Sequence, residues 1–476
     1  MLSMAAAIAL VGCGGKGSPA SAPTGLTVTG EDTQITLSWD VVQGVTYNVY
    51  CAPGTSVDNT GPANWYTTAG GFAITGANGG TVLPPFTVDR VENNRQYACT
   101  VDGRYGDGAA GPAASSRTAM PRLAGASWQS ASTVGLGSSL RAVTAGRLSG
   151  FTVDKFFAVG TSGQLQVSDD YGSGTWTPVS LPADLVASVG DLNTAIVYQG
   201  RLYLAGSAGV VAYTSDLQTW FKTGSLGAAI YKIASNNNQY PSSGTRLVLV
   251  GASGLIRYST DGANWGVPVN SASTTPNLKG VTYSEAGYWV AVGDASAGAA
   301  TVWVGSSDGT SWSPAAGLAS QSANLASVAA LKVQTPDTSN YLYQLVAVGD
   351  NGVVGYSSDG QTWAWQTLAG APQLSQVGAS NQLLVKFDDS VTPVHQSTAY
   401  AGGQFMIAGA GGKVWRSGDG LSWDHATWTD ISNATGTTVN ALQLLSYTKL
   451  GTYSRNPMYA YTWLLYGVDG SSRSAR

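Results

Sequence analysis

Hydrophobic and polar positions alternate along most of this chain, in short runs bounded by Gly, Asn, Asp, Ser or Pro. Near the start, Leu26 and Val28, then Ile35, Leu37 and Trp39, each place every second side chain on one face. Tyr47, Val49 and Cys51 do the same, as do Tyr97, Cys99 and Val101. That period of two predicts half-buried strands. From about residue 123 a longer phrase recurs: an apolar strand ending in Gly, a short turn, a second strand, then Ser-x-Asp-Gly-x-x-Trp. Self-similarity of this kind predicts a repeat architecture.

The clearest copies run from Gly251 to Ser259, Asp261 and Trp265, and from Gly349 to Ser357, Asp359 and Trp363. Two more end at Ser306, Asp308 and Trp312, and at Ser417, Asp419 and Trp423. Asp216 with Trp220, and Asp170 with Trp176, close degenerate copies. The interval from Gly to Trp is identical in four copies, Gly206 to Trp220, Gly251 to Trp265, Gly349 to Trp363 and Gly409 to Trp423, and somewhat longer in the other two. Asp-Gly suits a tight hairpin turn, because Gly accepts positive φ while Ser and Asp side chains satisfy turn amides. The Trp then opens the next strand and covers the hairpin with apolar surface.

Composition narrows the choice. One residue in eight is Gly (62 of 476), which argues against a helical bundle. The 43% apolar and 10% aromatic content argues against disorder. A pI near 5.2 and a net charge of −4, with no basic run, argue against nucleic-acid binding. No apolar stretch of about 20 residues, the length of a membrane span, is present.

The phrase resembles the Asp-box, or BNR repeat, of β-propellers. The resemblance implies a turn between a blade's third and fourth strands, at the rim of the ring, with a structural role for Asp170, Asp216, Ser259, Asp261, Ser306, Asp308, Ser357, Asp359, Ser417 and Asp419. A seventh strand ends at Gly467 and calls for a Trp beyond the last residue, Arg476. Trp128, meanwhile, precedes Gly160 by nearly the interval that separates Trp176 from Gly206 and Trp220 from Gly251, yet it has no strand of its own ahead of it. The expectation is a seven-bladed ring over 123–476, whose last blade is completed by the strand at Trp128. Such closure removes open sheet edges.

Residues 23–122 resemble a fibronectin type III domain, on Pro23, Leu26 and Val28, the core position Trp39, the strand at Tyr47 and Val49, and Tyr97 at a tyrosine corner. The fold class expected is therefore all-β, a fibronectin type III-like sandwich followed by the propeller. In such a sandwich Cys51 and Cys99 share inward parity on neighbouring strands. They form either a disulfide closing about 48 residues, worth roughly 4 kcal/mol, or a pair of buried apolar thiols. An even thiol pair in an exported chain favours the bridge.

Export is suggested by the segment that ends at Cys13. A short apolar run, Met4 to Val11, precedes Gly12 and Cys13, too short to span a membrane. Leu10 to Cys13 resembles the lipobox of bacterial lipoproteins, which implies a lipoprotein signal segment over 1–13 with cleavage ahead of Cys13, acylation of Cys13 as the new N-terminus and a flexible tether over 14–22. An ordinary signal peptide with an incidental Cys is the alternative, and no Lys or Arg precedes Cys13. Gly14 after the Cys implies sorting to the outer membrane.

The chemistry on the ring is sparse. Glu285 is the one Glu after residue 122, and six of the Asp residues there belong to the repeats. Sialidase-like glycosidases carry Asp-boxes but need paired carboxylates or a Tyr–Glu pair. His395 and His425 lack partners at metal-ligand spacing, although Asp388, Asp389 and His395 share one segment. No catalytic residue, metal or cofactor is expected. Long hairpins around Tyr240, 335–337, 388–398 and 448–457 are candidate binding loops, with Tyr240, Trp428 and Tyr453 as stacking aromatics. Asp-box propellers of the photosystem II assembly-factor type bind protein partners without catalysis. The function expected is thus a lipid-anchored, non-catalytic interaction protein at the bacterial envelope, binding a protein or a surface polysaccharide. A structural or assembly component of the envelope, and a sialidase-like glycosidase, are the alternatives.

Overall fold

A computed structural model describes residues 18–32, 34–57, 59, 72–75, 82–89, 91–106, 108–122, 125, 128–130, 134–136, 139–169, 175–236, 246–269, 276–334, 340–371, 373–387, 397–423, 442–453, 456–467 and 472–475. Strand dominates, and one short α-helix occurs among these residues. Two compact units divide the chain: Met1–Leu123 with Val385–Ala399 and Gly451–Met458, and Ala124–Leu384 with Tyr400–Leu450 and Tyr459–Arg476.

The first unit is a β-sandwich. Its strands are β1 (Thr27–Glu31), β2 (Gln34–Ser38), β3 (Val45–Pro53), β4 (Phe72–Thr75), β5 (Phe86–Asp89), β6 (Tyr97–Tyr105) and β7 (Arg117–Ala119). One sheet has the order β1-β2-β5 and the other β4-β3-β6-β7. Alternation decides what each face buries. Ile35, Leu37, Phe86 and Val88 from the first sheet meet Tyr47, Val49, Tyr97 and Val101 from the second, with Trp39 at the edge of the cluster. Cys51 and Cys99 oppose each other directly in the β3–β6 register and are joined as a disulfide, so the bridge lies within one sheet. The Tyr97 hydroxyl accepts the N–H of Glu92, which lies a little upstream, at 3.0 Å. The second sheet's other face is also buried, and it is polar there. Asp102 accepts from Asn48 Nδ2 at 2.6 Å, from the Tyr50 hydroxyl at 2.7 Å and from Asn59 Nδ2 at 2.7 Å.

The second unit is a succession of small antiparallel sheets. It begins with β8 (Trp128–Ser130), then β9 (Leu140–Gly146), β10 (Lys155–Gly160), β11 (Leu165–Ser168) and β12 (Thr177–Pro178). Helix α1 (Ala183–Val189) leads to β13 (Leu192–Tyr198), β14 (Arg201–Gly206), β15 (Val211–Thr214) and β16 (Phe221–Lys222). Next come β17 (Ile230–Ser235), β18 (Leu247–Gly251) and β19 (Ile256–Ser259), then β20 (Leu278–Ser284), β21 (Tyr288–Ser296), β22 (Ala299–Gly305) and β23 (Trp312–Pro314). After these follow β24 (Leu325–Gln334), β25 (Tyr341–Gly349), β26 (Val353–Ser357) and β27 (Ala364–Thr367). The last are β28 (Leu374–Phe387), β29 (Ser397–Gly409), β30 (Val414–Ser417), β31 (Leu442–Tyr453), β32 (Asn456–Gly467) and β33 (Ser472–Ala475).

Each sheet is a meander in chain order, except that the last runs β31-β32-β33-β8. Ala475 pairs with Trp128 and Ser474 with Gln129, so a strand from near residue 129 completes the sheet of the chain's final strands. The first strands β9, β13, β17, β20 and β24 stand side by side in that order. Apolar clusters fill the space between successive sheets: Val290 and Val292 of one meet Leu345 and Ala347 of the next, and Val346 and Val348 meet Phe405 and Ile407. Radial sheets packed face to face around their first strands make a β-propeller.

Candidate functional site

The turns after the third strands are held by hydrogen bonds local to each turn. Ser259 Oγ donates to Asp261 Oδ1 at 3.0 Å and accepts the Gly262 N–H at 2.8 Å. Asp261 Oδ1 accepts the N–H groups of Ala263 and Asn264 at 2.9 and 2.8 Å, and Trp265 Nε1 donates to the Gly262 carbonyl at 3.2 Å. Gly262 takes φ +73°, which a residue with a Cβ adopts at a cost. Ser357, Asp359, Gly360 and Trp363 repeat the whole set, and Ser417, Asp419 and Gly420 repeat its turn bonds. In the copy at Ser306, the Ser311 N–H reaches the Ser306 hydroxyl while Asp308 holds Thr310, and Trp312 Nε1 donates to Gly309. Thr214 and Asp216 build the same turn around Leu217, which takes φ +63° in place of Gly. Trp176 is buried. Asp170 lies outside the described residues.

These bonds set the charge state of the aspartates. The backbone N–H groups of Thr219 and Gln218 pull Asp216 down to about 2. At Asp261 burial pushes upward, but the Asn264 and Ala263 donors and the Ser259 hydroxyl outweigh it, again to about 2. The hydroxyls of Ser306 and Thr310 lead at Asp308, also to about 2. At Asp359 and Asp419 burial again pushes upward, and their amide pairs outweigh it and lower both. A carboxylate held as an acceptor at this strength carries no proton to donate near neutral pH.

The turns also fasten neighbouring sheets. Tyr203 of β14 donates its hydroxyl to the Asp261 carbonyl at 3.2 Å, one sheet further on, and Tyr288 of β21 reaches the Ser358 carbonyl at 3.4 Å. A Cβ added to Gly262 would lie 2.2 Å from the Tyr203 ring, and one on Gly360 2.7 Å from Tyr288. Trp265, Trp312, Trp363 and Trp423 each pack into the cluster between their own sheet and the preceding one, and Trp220 does likewise.

At the opposite end of the sheets, the glycine that ends each second strand has a different use from the one its position suggests. Gly251 and Gly349 are not left-handed turn residues, since their backbone is extended, with φ of −168° and −165°. A Cβ on either would lie 2.0 Å from the carbonyl of Ala229 or Asn324, just ahead of the first strand. There the first strands bulge, two residues opposing one, at Leu192 to Thr194, Ile230 to Lys232, Leu278 to Gly280 and Leu325 to Ser327. The residue before the strand latches the turn of the preceding sheet. Asp191 accepts the Ser162 N–H at 2.8 Å, Asn277 the Ser253 N–H at 3.1 Å and Asn324 the Ala295 N–H at 2.9 Å. Sequence reading missed this latch, although an Asp or Asn one position before Leu192, Leu278 and Leu325 was a periodic signal.

The first-to-second-strand hairpins share an end with the Asp-containing turns. Hairpin β24–β25 has strands of 10 and 9 residues, against 7 and 6 in β9–β10. Lys332 crosses from it to Glu285 at 3.0 Å and lies 4.3 Å from the centre of the Tyr341 ring, while Tyr341 and Leu342 are 46% and 49% exposed. Tyr453 does not sit in a loop: it closes β31, because both strands of that hairpin continue almost to its turn. Thr398 likewise belongs to β29. Cys13, Tyr240, 335–337, Asp388, Asp389, His395, His425 and Trp428 lie outside the described residues. Among the described residues no group of His, Cys, Asp and Glu has the geometry to hold a metal ion, and no helix is long and apolar enough to cross a membrane.

No protein-family model matches the chain, and no curated protein does. Among solved structures it is similar to BBS1N in complex with ARL6DN, at 13% identity and a TM-score of 0.45, covering 73% of this chain and 96% of that one. It is similar to Sqt1 of Saccharomyces cerevisiae at 12% identity and a TM-score of 0.44, covering 73% and 99%. The WD40 β-propeller domain of Doa1 matches at 10% identity and a TM-score of 0.32, covering 53% and 90%.

Proposed function

We propose that this chain is an exported, lipid-anchored, non-catalytic interaction protein of the bacterial envelope. In this reading Cys13 carries the acyl anchor, 14–22 is a tether, and a fibronectin type III-like sandwich precedes a seven-bladed Asp-box propeller that binds a protein or surface polysaccharide. Sheet orders β1-β2-β5 and β4-β3-β6-β7 and the Tyr97 corner support the sandwich assignment. Seven sheets of the second unit among the described residues, the last completed by β8, support the blade count.

The use made of the turn aspartates and of Glu285, among the described residues, carries the non-catalytic reading. Asp216, Asp261, Asp308, Asp359 and Asp419 are each committed to their own turn, and Glu285 to Lys332. A glycosidase would need an acid and a nucleophile or base free to face one substrate. What the ring does offer is hairpin β24–β25, stiffened by Lys332 and presenting Tyr341 and Leu342 outward.

The test uses the full chain with and without Tyr341→Ser and Leu342→Ser together. Binding to a glycan array or to an envelope extract that the double variant loses, with its melting temperature unchanged, supports the reading. Turnover of a fluorogenic sialoside, abolished by removing a carboxylate, sinks it.

A further inference from the structure

The outer strands β12, β16, β23 and β27 each pair, within their sheet, on one side only. Alternation fixes which of their residues turn N–H and C=O away from the sheet. The N–H groups of Val179, Thr223 and Ala315 donate inward to the Leu165, Val211 and Val302 carbonyls, each at 2.9 Å. The residues just before them, Pro178, Lys222 and Pro314, therefore turn outward. Proline has no N–H to offer and a lysine resists pairing, so each protects its edge. On β23 the other outward residue, Trp312, is already met, since its N–H donates to the Val269 carbonyl at 3.3 Å.

Strand β27 has none of these devices. The Leu368 N–H donates inward to the Gly352 carbonyl at 3.0 Å, so Trp365 and Thr367 turn outward. Trp365 pairs with Gly355 ahead of Ser357, the place that Pro178 takes opposite Gln166 ahead of Ser168. Neither outward N–H has an acceptor among the described residues. Ala364 and Thr367 are exposed, and the Trp365 ring is stacked on Trp363 with 5.7 Å between centres, which steadies the strand. Gln366 Nε2 donates to the Leu421 carbonyl at 3.0 Å, so Leu421, 51% exposed, stands beside the edge. No charged residue occurs between Asp359 and Lys386.

That neutrality selects the occupant. A charged segment finds no counter-charge along β27, whereas two copies of this strand meet without setting like charges opposite each other. At β16 the same approach would bring the Lys222 ammonium of each copy together. We propose that a second copy of this chain adds its own β27 to this edge, antiparallel about a two-fold axis through Gln366. Trp365 of each copy then faces Thr367 of the other, their N–H groups and carbonyls pair, and Gln366 lies opposite itself. Such a contact is self-complementary and closes at two copies. It is independent of the hairpin at Tyr341 and Leu342, and either can fail without the other.

Sedimentation over a range of concentrations tests it, on the full chain carrying Cys13→Ser so that acylation cannot drive association. The weight-average mass is expected to climb from 48.8 kDa toward twice that value. Thr367→Pro removes half of the bonds across the axis and should weaken association by roughly tenfold or more. Gln366→Lys and Gln366→Glu should each stay single, and the two mixed in equal amounts should associate again, because only that register sets residue 366 against itself. Melting temperatures show whether the variants keep the fold. Should the Gln366 pair melt early, Thr367→Val, which keeps the N–H and should still associate, is compared with Thr367→Pro. A chain that stays single at every concentration overturns the proposal, whether or not a segment of another protein adds to the edge instead. So does association that Thr367→Pro and both charge variants leave unchanged.

Discussion

The Tyr203 hydroxyl donates to the Asp261 carbonyl of the following sheet at 3.2 Å, and the ring beneath it leaves no room for a side chain on Gly262. One residue thus ties a local turn to the packing of its neighbour. Tyr203→Phe keeps the ring and loses the bond, and is expected to cost about 1 kcal/mol. Tyr203→Ala empties a fully buried site and should cost about 3–5 kcal/mol. Chemical denaturation of the two variants checks the difference.

The turn aspartates make stability depend on acid. Asp216, Asp261 and Asp308 titrate at about 2 in the folded chain, below the roughly 3.9 of an unfolded Asp. A lowered folded value contributes stability that is complete above the unfolded value and is lost as pH falls through the folded one. The melting temperature should therefore fall between about pH 4 and pH 2. Asp261→Asn should flatten part of that fall, and an unchanged acid limb in this variant would refute the assignment.

Gly349 and Gly287 separate two reasons for being Gly. Gly349 is extended but faces the Asn324 carbonyl, while Gly287 takes φ +98° with nothing within 4 Å of an added Cβ. Gly349→Ala should cost about 3 kcal/mol or more, because backbone must move. Gly287→Ala should cost about 1 kcal/mol from backbone strain alone. Equal losses in urea melts would contradict this account.

Truncation before Ser472 removes β33 and leaves β8 without its partner strand. An open edge on the last sheet is expected to lower the melting temperature and promote self-association. Light scattering during a thermal ramp reads both effects.

The Cys51–Cys99 bridge closes a sequence separation of 48. Replacing both with Ala should destabilise the sandwich by roughly 4 kcal/mol. Denaturant unfolding of the first unit, followed by Trp39 fluorescence with and without reductant, measures it.

Much of the second unit was legible because its chemistry is local. Ser259, Asp261, Gly262 and Trp265 follow one another closely in the chain, and their bonds close inside that span. The role of the glycines ending the second strands was not legible, for the opposite reason. Gly349 looks like a turn glycine, and the contact that demands it comes from Asn324, ahead of the first strand of the same sheet. Tyr203 carried no signal of its role, since nothing beside it in the chain announces a bond to Asp261. In the sandwich, alternation foretold the face holding Val49 and Val101, but not that Asn48, Tyr50 and Asp102 on the other face are buried too.

The amino-acid order determined by itself the strands and the repeated turns, because period and turn chemistry act between near neighbours, and the intervals of the repeat pointed to the pairing of Trp128 with the chain's last strand. Tertiary structure decided which glycines face another backbone and which aromatic rings seat the turns. Those depend on the distance between one sheet and the next, a quantity that arises only when the sheets pack.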